Sequence, residues 1–571
     1  MLDKLSMEVR LLIAFVMMGL VLAVSQYLLP PPPTPPPTTA TVETDKGDKP
    51  GAPANIPNTA PNTPELPTDT PAASAVSAAQ EETVTIDTNL HHVVFSNRGA
   101  VVKSWVLKKF KDAKHEPLDL VNVRAAALKG NLALPAPMSL AFKTKPKSDL
   151  NNSLFRVTQN GLSVTFDYSD GRTAATKTFD FAQDTYLAKV SSQVIENGVA
   201  VPHSLVWRGG FGDSTVVNPV ADGHLVYYDT SANFPWYRSR LRTNVTDHPP
   251  TGQVAFAGIE DKYFAAVMLP TLAAGQAGDQ GGTLDITPYS DNVPKADQKE
   301  ELRVGVAVGG SGTNVLALYV GPKDDDVLEP VDPRLGKLID WGWFFFIAQP
   351  LFRALTWVTA HLTHNYGWAI IVATIIINTI LFPLRLTSMK SGKKMQALKP
   401  QLDALNAKYK NMALTDPRKS EQQAEMMELH SKNGVNPVGG CLPMLVQIPV
   451  FFALYKVLSI AIEMRGAEWL WVADISQPET LAIRALPVIL VASQFLTQKM
   501  TPAPGVDPTQ QKMMLFMPLM FGYIFYYASA GLVLYYLTSN LVSIGQQFVM
   551  NRAMPTPAAV TVIPVSSKKK K

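Results

Sequence analysis

Thr374, Asn378 and Arg385 are where chemistry is most legible, because they are polar residues in an apolar stretch. They interrupt the run Trp368-Ala-Ile-Ile-Val-Ala-Thr374-Ile-Ile-Ile-Asn378-Thr-Ile-Leu-Phe-Pro383-Leu-Arg385, which is long and apolar enough to enter a bilayer. An Arg at the centre of such a helix costs about 2.5–3.5 kcal/mol on insertion scales, so polar residues there face other helices or water. Steps of four and then seven residues return to nearly one helical face, with Pro383 perturbing the alignment. Gln447, Phe451 and Tyr455 repeat the spacing in a second apolar run, and Leu532, Tyr536, Ser539, Ser543 and Gln547 in a third. Such faces suit two tasks. They line a hydrated recess that admits polar segments, or they hold membrane helices together by hydrogen bonds. Arg385 has a third option, snorkelling to the headgroups. Periodicity leaves these open.

The elements that must position these residues follow from the rest of the chain. Over 571 residues, 46% apolar content with 17% charge favours a membrane class, and a net charge of +4 is too small to argue for nucleic acid. The lone Cys441 excludes an internal disulfide or multi-cysteine metal cluster. Residues 1–29 read as an N-terminal transmembrane anchor, with a cleaved signal peptide ending near Ala23-Val-Ser25 as the competing reading. Residues 30–80, rich in Pro and Thr, read as a disordered, extended linker. Residues 81–330 carry period-two stretches such as Thr83–Asp87, Leu162–Tyr168, His224–Tyr228 and Leu302–Val308, separated by Asn97-Arg-Gly99, Asp170-Gly171, Glu196-Asn-Gly198 and Gly209-Gly210. That is a large all-β sandwich on one side of the membrane. The pairs His91-His92 and His361-x-x-His364 have no third ligand at a metal spacing, and they read as solvated or interfacial. No nucleophile elbow, zinc-protease motif or phosphate loop is present.

Residues 331–366 contain Trp341, Trp343, Phe344, Phe345, Phe346, Phe352 and Trp357, the composition of an interfacial amphipathic helix. Residues 367–550 form the membrane core. Within it, 388–434 read as a polar helical hairpin, with Leu398, Leu402, Leu405 and Tyr409 facing Met426, Met427 and Leu429. Spans are expected from Trp368, from Pro437 to Tyr455, and then over Leu481–Thr497, Met513–Tyr527 and Leu532–Val549. The hairpin carries Lys390, Lys393, Lys394, Lys399, Lys408, Lys410, Arg418, Lys419 and Lys432, whereas the loop Glu463–Glu479 has one basic residue against four acidic ones. The positive-inside rule makes the hairpin and both termini cytoplasmic and the β domain periplasmic. The expected fold class is an α-helical polytopic membrane core of six spans including the anchor, with a large all-β periplasmic sandwich domain and a cytoplasmic helical hairpin. A basic cytoplasmic tail follows over 551–571.

The segments Asn436-Pro-Val-Gly-Gly-Cys-Leu-Pro443, Gln447-Ile-Pro-Val-Phe451, Asp507-Pro-Thr-Gln-Gln-Lys-Met513, Phe516-Met-Pro518, Ser529-Ala-Gly-Leu-Val-Leu-Tyr-Tyr536 and Ser539-Asn-Leu541 closely resemble the YidC family of membrane protein insertases. Looser matches are Ser96-Asn-Arg-Gly99, Asp261-Lys-Tyr-Phe264 and Tyr319-Val-Gly-Pro-Lys323. The resemblance implies an inner-membrane protein that is no enzyme and uses no cofactor. Such a protein inserts and helps fold nascent membrane proteins, alone or with the Sec translocon, through a hydrophilic groove open to cytoplasm and lipid. The groove residues it implies are Thr374, Asn378, Arg385, Gln447, Ser539 and Ser543, and the apolar slide is Phe451, Tyr455, Leu532, Tyr535 and Tyr536. Aligning Phe382-Pro-Leu384 puts Asn378 where the family carries a basic residue, with Arg385 as the candidate replacement. The cytoplasmic methionines offer an adaptable landing surface, or they simply pack the hairpin. The Lys568, Lys569, Lys570 and Lys571 tail suits ribosomal RNA or anionic lipid, or is merely solvated. Two rivals come from other classes, a polytopic solute transporter with a periplasmic binding domain and an envelope enzyme acting on glycans.

Overall fold

The structure, a computed structural model, describes residues 75–553 except 113, 129, 131–132, 216–222, 231–235, 240–251, 271–281, 295–299, 410–417, 435–441 and 501–507. The expected anchor, the linker up to 74 and the tail from 554 lie outside the described residues. The last residues assigned to the linker belong to the β domain, because Val76 pairs with Ser169 and Ala78 N–H donates to Leu154 O at 3.1 Å.

Alternation builds the β domain as expected. In Thr173–Phe181 the buried residues are Thr173, Ala175, Lys177 and Phe179, while their neighbours are half-exposed. The described strands form two antiparallel sheets. One has four strands in chain order, Thr83–Asp87, His91–Ser96, Val101–Lys111 and Pro117–Asp119, and the other has fourteen. They close one core between them, where the Phe95 ring lies 4.8 Å from Phe179 and Trp105 lies 6.2 Å from Trp207. The turn at Asn197-Gly198 has φ of 50° and 79°, the left-handed pair that a two-residue hairpin loop requires. Lys177 faces the core because its strand register puts it there. Its ammonium donates to the carbonyl oxygens of Gly99, Ala100 and Met138 at 2.8, 3.1 and 2.8 Å, which uses all three donors.

The adjacent histidines are not both solvated. Neighbours on a strand point to opposite faces, so His92 is exposed against Asp87 while His91 is buried. His91 Nδ1 accepts from Trp105 Nε1 at 2.8 Å, and its ring meets Tyr186 edge-on at 5.3 Å. The expected interfacial helix also starts later than 331. Leu335, Leu338 and Ile339 pack in the β core, and the helix α1 runs over Phe345–Val358. It buries Ala348, Leu355 and Val358 and exposes Phe345, Phe346 and Trp357.

A π-helical turn at Thr359–Thr363 and left-handed His364 then bend the chain by 115° into α2, Tyr366–Ile380, whose first turn is capped by Asn365. One residue, Leu381, separates α2 from α3, Phe382–Ala397, where Pro383 occupies the first turn and needs no donor. The remaining helices are α4 Lys399–Lys408, α5 Arg418–Lys432, α6 Leu442–Ile460, α7 Ala485–Met500, α8 Pro508–Tyr526 and α9 Ala530–Ala553. Helices α4 and α5 pack through Leu398, Leu402, Met426 and Leu429, with Lys408 on Glu425 at 2.8 Å, while Met427 stays exposed. Among the described residues no single helix is both long and apolar enough to cross a membrane. The bent pair Phe345–Thr363 with Tyr366–Ile380 passes together, and Val446–Ile460 and Phe516–Tyr526 are shorter apolar helices. The helical part is nevertheless apolar outside. Ile376, Ile380, Val488, Phe516, Leu519, Leu541 and Phe548 all face outward, an arrangement costly in water and favourable in lipid.

Burial holds the His91 imidazole down at about 4, from an ordinary value of 6.5. The folded state therefore binds its proton later than the unfolded state. The contribution is complete above about pH 6.5 and lost as pH falls through 4, on the order of 3 kcal/mol. Hydrogen exchange of Val101–Lys111 in the full chain, corrected for intrinsic rate, is expected to lose protection across that window. A His91→Gln chain should flatten the loss; an unchanged acid limb would show that His91 does not set it.

Candidate functional site

The polar residues singled out on three apolar runs do meet. Thr374 and Asn378 lie one turn apart on α2, and each hydroxyl or amide reaches back along its own helix, Thr374 Oγ1 to Ile370 O at 2.6 Å and Asn378 Nδ2 to Thr374 O at 2.8 Å. The Asn378 carbonyl oxygen is left for another helix, and Ser539 of α9 donates to it at 3.2 Å. Gln447 of α6 donates through Nε2 to Ser539 Oγ at 3.3 Å. Its Oε1 accepts from Arg385 Nη2 at 3.1 Å. The other guanidinium arm, Nη1, donates to Ser543 Oγ and to Gln546 Oε1, the latter at 3.3 Å. Helices α2, α3, α6 and α9 thus share one continuous polar seam.

The seam changes character along its length. Thr374, Asn378 and Ser539 are almost wholly covered by protein, at 1%, 2% and 2% exposure. Arg385, Gln447, Ser543 and Gln546 are half-buried. Arg385 sits after the α2–α3 break, so it reaches the seam by the length of its side chain and not by sharing a face with Asn378. All its hydrogen-bond partners among the described residues are neutral. A guanidinium keeps its charge under these conditions and has five donors. The arrangement can therefore attract an anionic group without first breaking an ion pair. Among the described residues no cluster of His, Cys, Asp or Glu could hold a metal.

The residues assigned to an apolar slide are placed differently. Phe451, Tyr455, Leu532 and Tyr535 are buried in the helical core, and only Tyr536 is half-buried. Tyr536 stacks on Phe525 at 5.0 Å and meets Phe451 edge-on at 6.1 Å. The N-terminal half of α9 is enclosed by α2, α6 and α7, so these rings face protein in this conformation. Sequence reasoning missed Gln546, which binds Arg385 and also donates to Asn378 O at 3.4 Å. It named Gln547, which points out to Asn551. From Ser539 seven residues return to within about 20° of the starting face and eight overshoot to about 80°. The helical angle therefore favours Gln546.

Two family models match the chain, one described as "YidC periplasmic domain" over residues 83–354 and one as "60Kd inner membrane protein" over 357–557. The membrane protein insertase YidC of Pelobacter propionicus is 34% identical over 515 residues, 84% of this chain and 89% of its own length. The chain belongs to the YidC family of membrane protein insertases. The YidC of Syntrophus aciditrophicus is 33% identical and covers 86% of this chain and 91% of itself; that of Geotalea daltonii is 31% identical over 96% and 100%. The β domain is thus the part matched by the YidC periplasmic model, and α2 to α9 the part matched by the inner-membrane one. These relatives are insertases, neither solute transporters nor glycan enzymes.

If the Asn378–Ser539 bond joins α2 to α9, Asn378→Ala should cost about 1 kcal/mol, the scale of interhelical hydrogen bonds in membranes. Ser539→Ala should then cost much less in the Asn378→Ala background than alone. Denaturation midpoints of the full chain in mixed detergent check this, and strictly additive losses would exclude the bond.

Proposed function

We propose that this chain inserts membrane proteins by offering a polar recess that opens at the cytosolic end of Arg385 and ends at Asn378 and Ser539. The observation that carries the reading is a half-buried guanidinium whose hydrogen-bond partners among the described residues are all neutral, above a floor of covered polar groups. The half-buried end holds water and the covered end stops it. A polar tail entering from the cytosol then crosses a shortened hydrocarbon path, and Arg385 attracts its acidic groups. The six-span topology places α2 with α3, then α6, α7, α8 and α9 as alternating passes after the N-terminal anchor. The basic residues around α3 to α5 put the helical hairpin and both termini in the cytoplasm.

Chemical drive comes from the client. Each buried CH₂ of its apolar helix contributes about 0.8 kcal/mol, and a membrane potential adds about 2.3 kcal/mol per charge per 100 mV. No nucleotide enters this scheme. In the slide Phe451, Tyr455, Leu532, Tyr535 and Tyr536 become a client track only when α9 and its neighbours part. Tyr536, at the edge of the packed rings, is the first to be uncovered. Nascent membrane proteins are the clients, received alone or beside the Sec translocon, and the lysines 568–571 meet the ribosome or anionic lipid.

Proteoliposomes carrying the full chain and a small single-span client with an acidic tail test the reading. Arg385→Ala should slow insertion roughly tenfold or more, the loss of about 1.5 kcal/mol from a charge-assisted hydrogen bond. Arg385→Lys should retain much of the rate. Undiminished insertion by Arg385→Ala would sink the proposal.

A further inference from the structure

The segment from Ala461 to Leu486 closes the end of the helical bundle opposite Arg385. It ties down the starts of three helices, at two of them through first-turn backbone amides that have no partner within the helix. Ala530 N–H and Gly531 N–H at the start of α9 donate to Gln477 O and Ile475 O, both at 2.8 Å. Leu486 N–H in α7 donates to Glu479 Oε2 at 2.9 Å, and Asn365 Nδ2 before α2 donates to Glu468 O at 2.8 Å. Met464, Trp469, Val472 and Ile475 fill the helical core behind these bonds. The Trp469 ring leaves no room at Gly367, where a Cβ would lie 2.2 Å from it.

The same segment is anchored at its start in the β domain. Ile462 belongs to the β-domain core. Arg465, 9% exposed, pairs with Asp213, 1% exposed, and lies 5.5 Å from the Phe264 ring and 5.9 Å from that of Tyr263. Asp213 is itself held, since its N–H donates to Asp261 Oδ2 at 2.8 Å and its Oδ1 accepts from Thr215 N–H at 2.8 Å. Asp261 Oδ1 accepts from Tyr263 and Phe264 N–H at 2.8 and 2.6 Å. Lys456 on Asp340 at 2.7 Å is a second, more exposed brace. We propose that Arg465 is the positioning residue through which the β domain holds the outer end of the groove shut.

This rests on the groove reading above, which makes the opposite end the one to be sealed. A buried ion pair that loses one partner leaves the other charge unsolvated. Removing Arg465 therefore drives Asp213 towards water and pulls the segment from the β domain, releasing its hold on α2, α7 and α9.

The test uses the full chain in proteoliposomes, reading passive proton leak with an entrapped pH dye beside client insertion. Arg465→Ala should raise the leak several-fold, and Arg465→Lys should raise it less. An Asp213→Cys/Arg465→Cys chain that also carries Cys441→Ser, folded first, should leak until a short bismaleimide bridges the pair and then become tight. Arg385→Ala, run in parallel, should lose insertion and stay tight, so the groove reading and the seal fail separately. Wild-type tightness in Arg465→Ala, or a leak in the cysteine pair that bridging does not reduce, overturns the proposal.

Discussion

A guanidinium within an apolar helical bundle is the constraint that the rest of the molecule answers. Its transfer from water is too costly to leave unanswered, and the chain answers with three neutral acceptors on two helices and with partial exposure. Among the described residues no carboxylate is one of its hydrogen-bond partners, which matters. A paired Arg385 would be satisfied within the protein and indifferent to an arriving anion. Neutral dipoles hold its position while leaving the net charge uncancelled. The same demand fixes α6 and α9 against α2 and α3, because Gln447, Ser543 and Gln546 must all reach one group.

Around this seam the usual order of a soluble fold is reversed. The helical interior holds both the packed aromatic cluster of Phe451, Phe525 and Tyr536 and the polar chain from Thr374 to Arg385, whereas isoleucines and phenylalanines of α2, α8 and α9 stand outside. In lipid there is no hydrophobic drive to bring such helices together, so packing and interhelical hydrogen bonds do it. That makes the bundle separable by small increments of free energy. The β domain works by the opposite rule. Its strands bury a continuous apolar core, and where a charge enters, as at Lys177, every donor is satisfied.

Much of the site was legible because the sequence broke a strong rule at a few places. Asn378, Arg385, Gln447, Ser539 and Ser543 are polar residues in apolar runs, and the structure brings all five into one hydrogen-bonded chain. What spacing could not convey is which side of a helix its neighbours occupy. Leu532 and Tyr535 share the chemistry expected of an outward track, yet α9 is enclosed at that level and they are core residues. Gln547 follows from repeating a step of four residues, whose angular drift accumulates along the helix and brings Gln546 to the seam instead. His91 shows the same gap in a strand. Its partner in the His-His pair is solvated, but period two puts His91 inward, against Trp105. The aromatic stretch before α1 was harder still, because Leu335 to Ile339 serve the β core while Phe345 onwards serve the helix, and composition changes too little between them. The β domain's strands and turns were legible from alternation and from Gly placement, since both are local.

The position of the charge then has a consequence for depth. Asn378 lies where the family resemblance expects a base, and it is 2% exposed and hydrogen-bonded through its side chain to Thr374 and Ser539 and through its backbone carbonyl to Gln546. An uncompensated charge placed there would have little water to offset its desolvation, and the covered contacts between α2 and α9 would have to open for it. Two turns further along the chain, Arg385 remains half-buried and its long side chain still delivers the guanidinium to the edge of the covered polar groups. The chain thereby keeps a half-buried charge and a covered interhelical contact apart, on either side of the α2–α3 break. On the proposed reading, a client tail held at Arg385 leaves undisturbed the bond that joins α2 to α9. Further passage on that reading depends on the emerging apolar helix finding lipid, so the energetic burden falls on the client's hydrophobicity and not on deeper charge attraction.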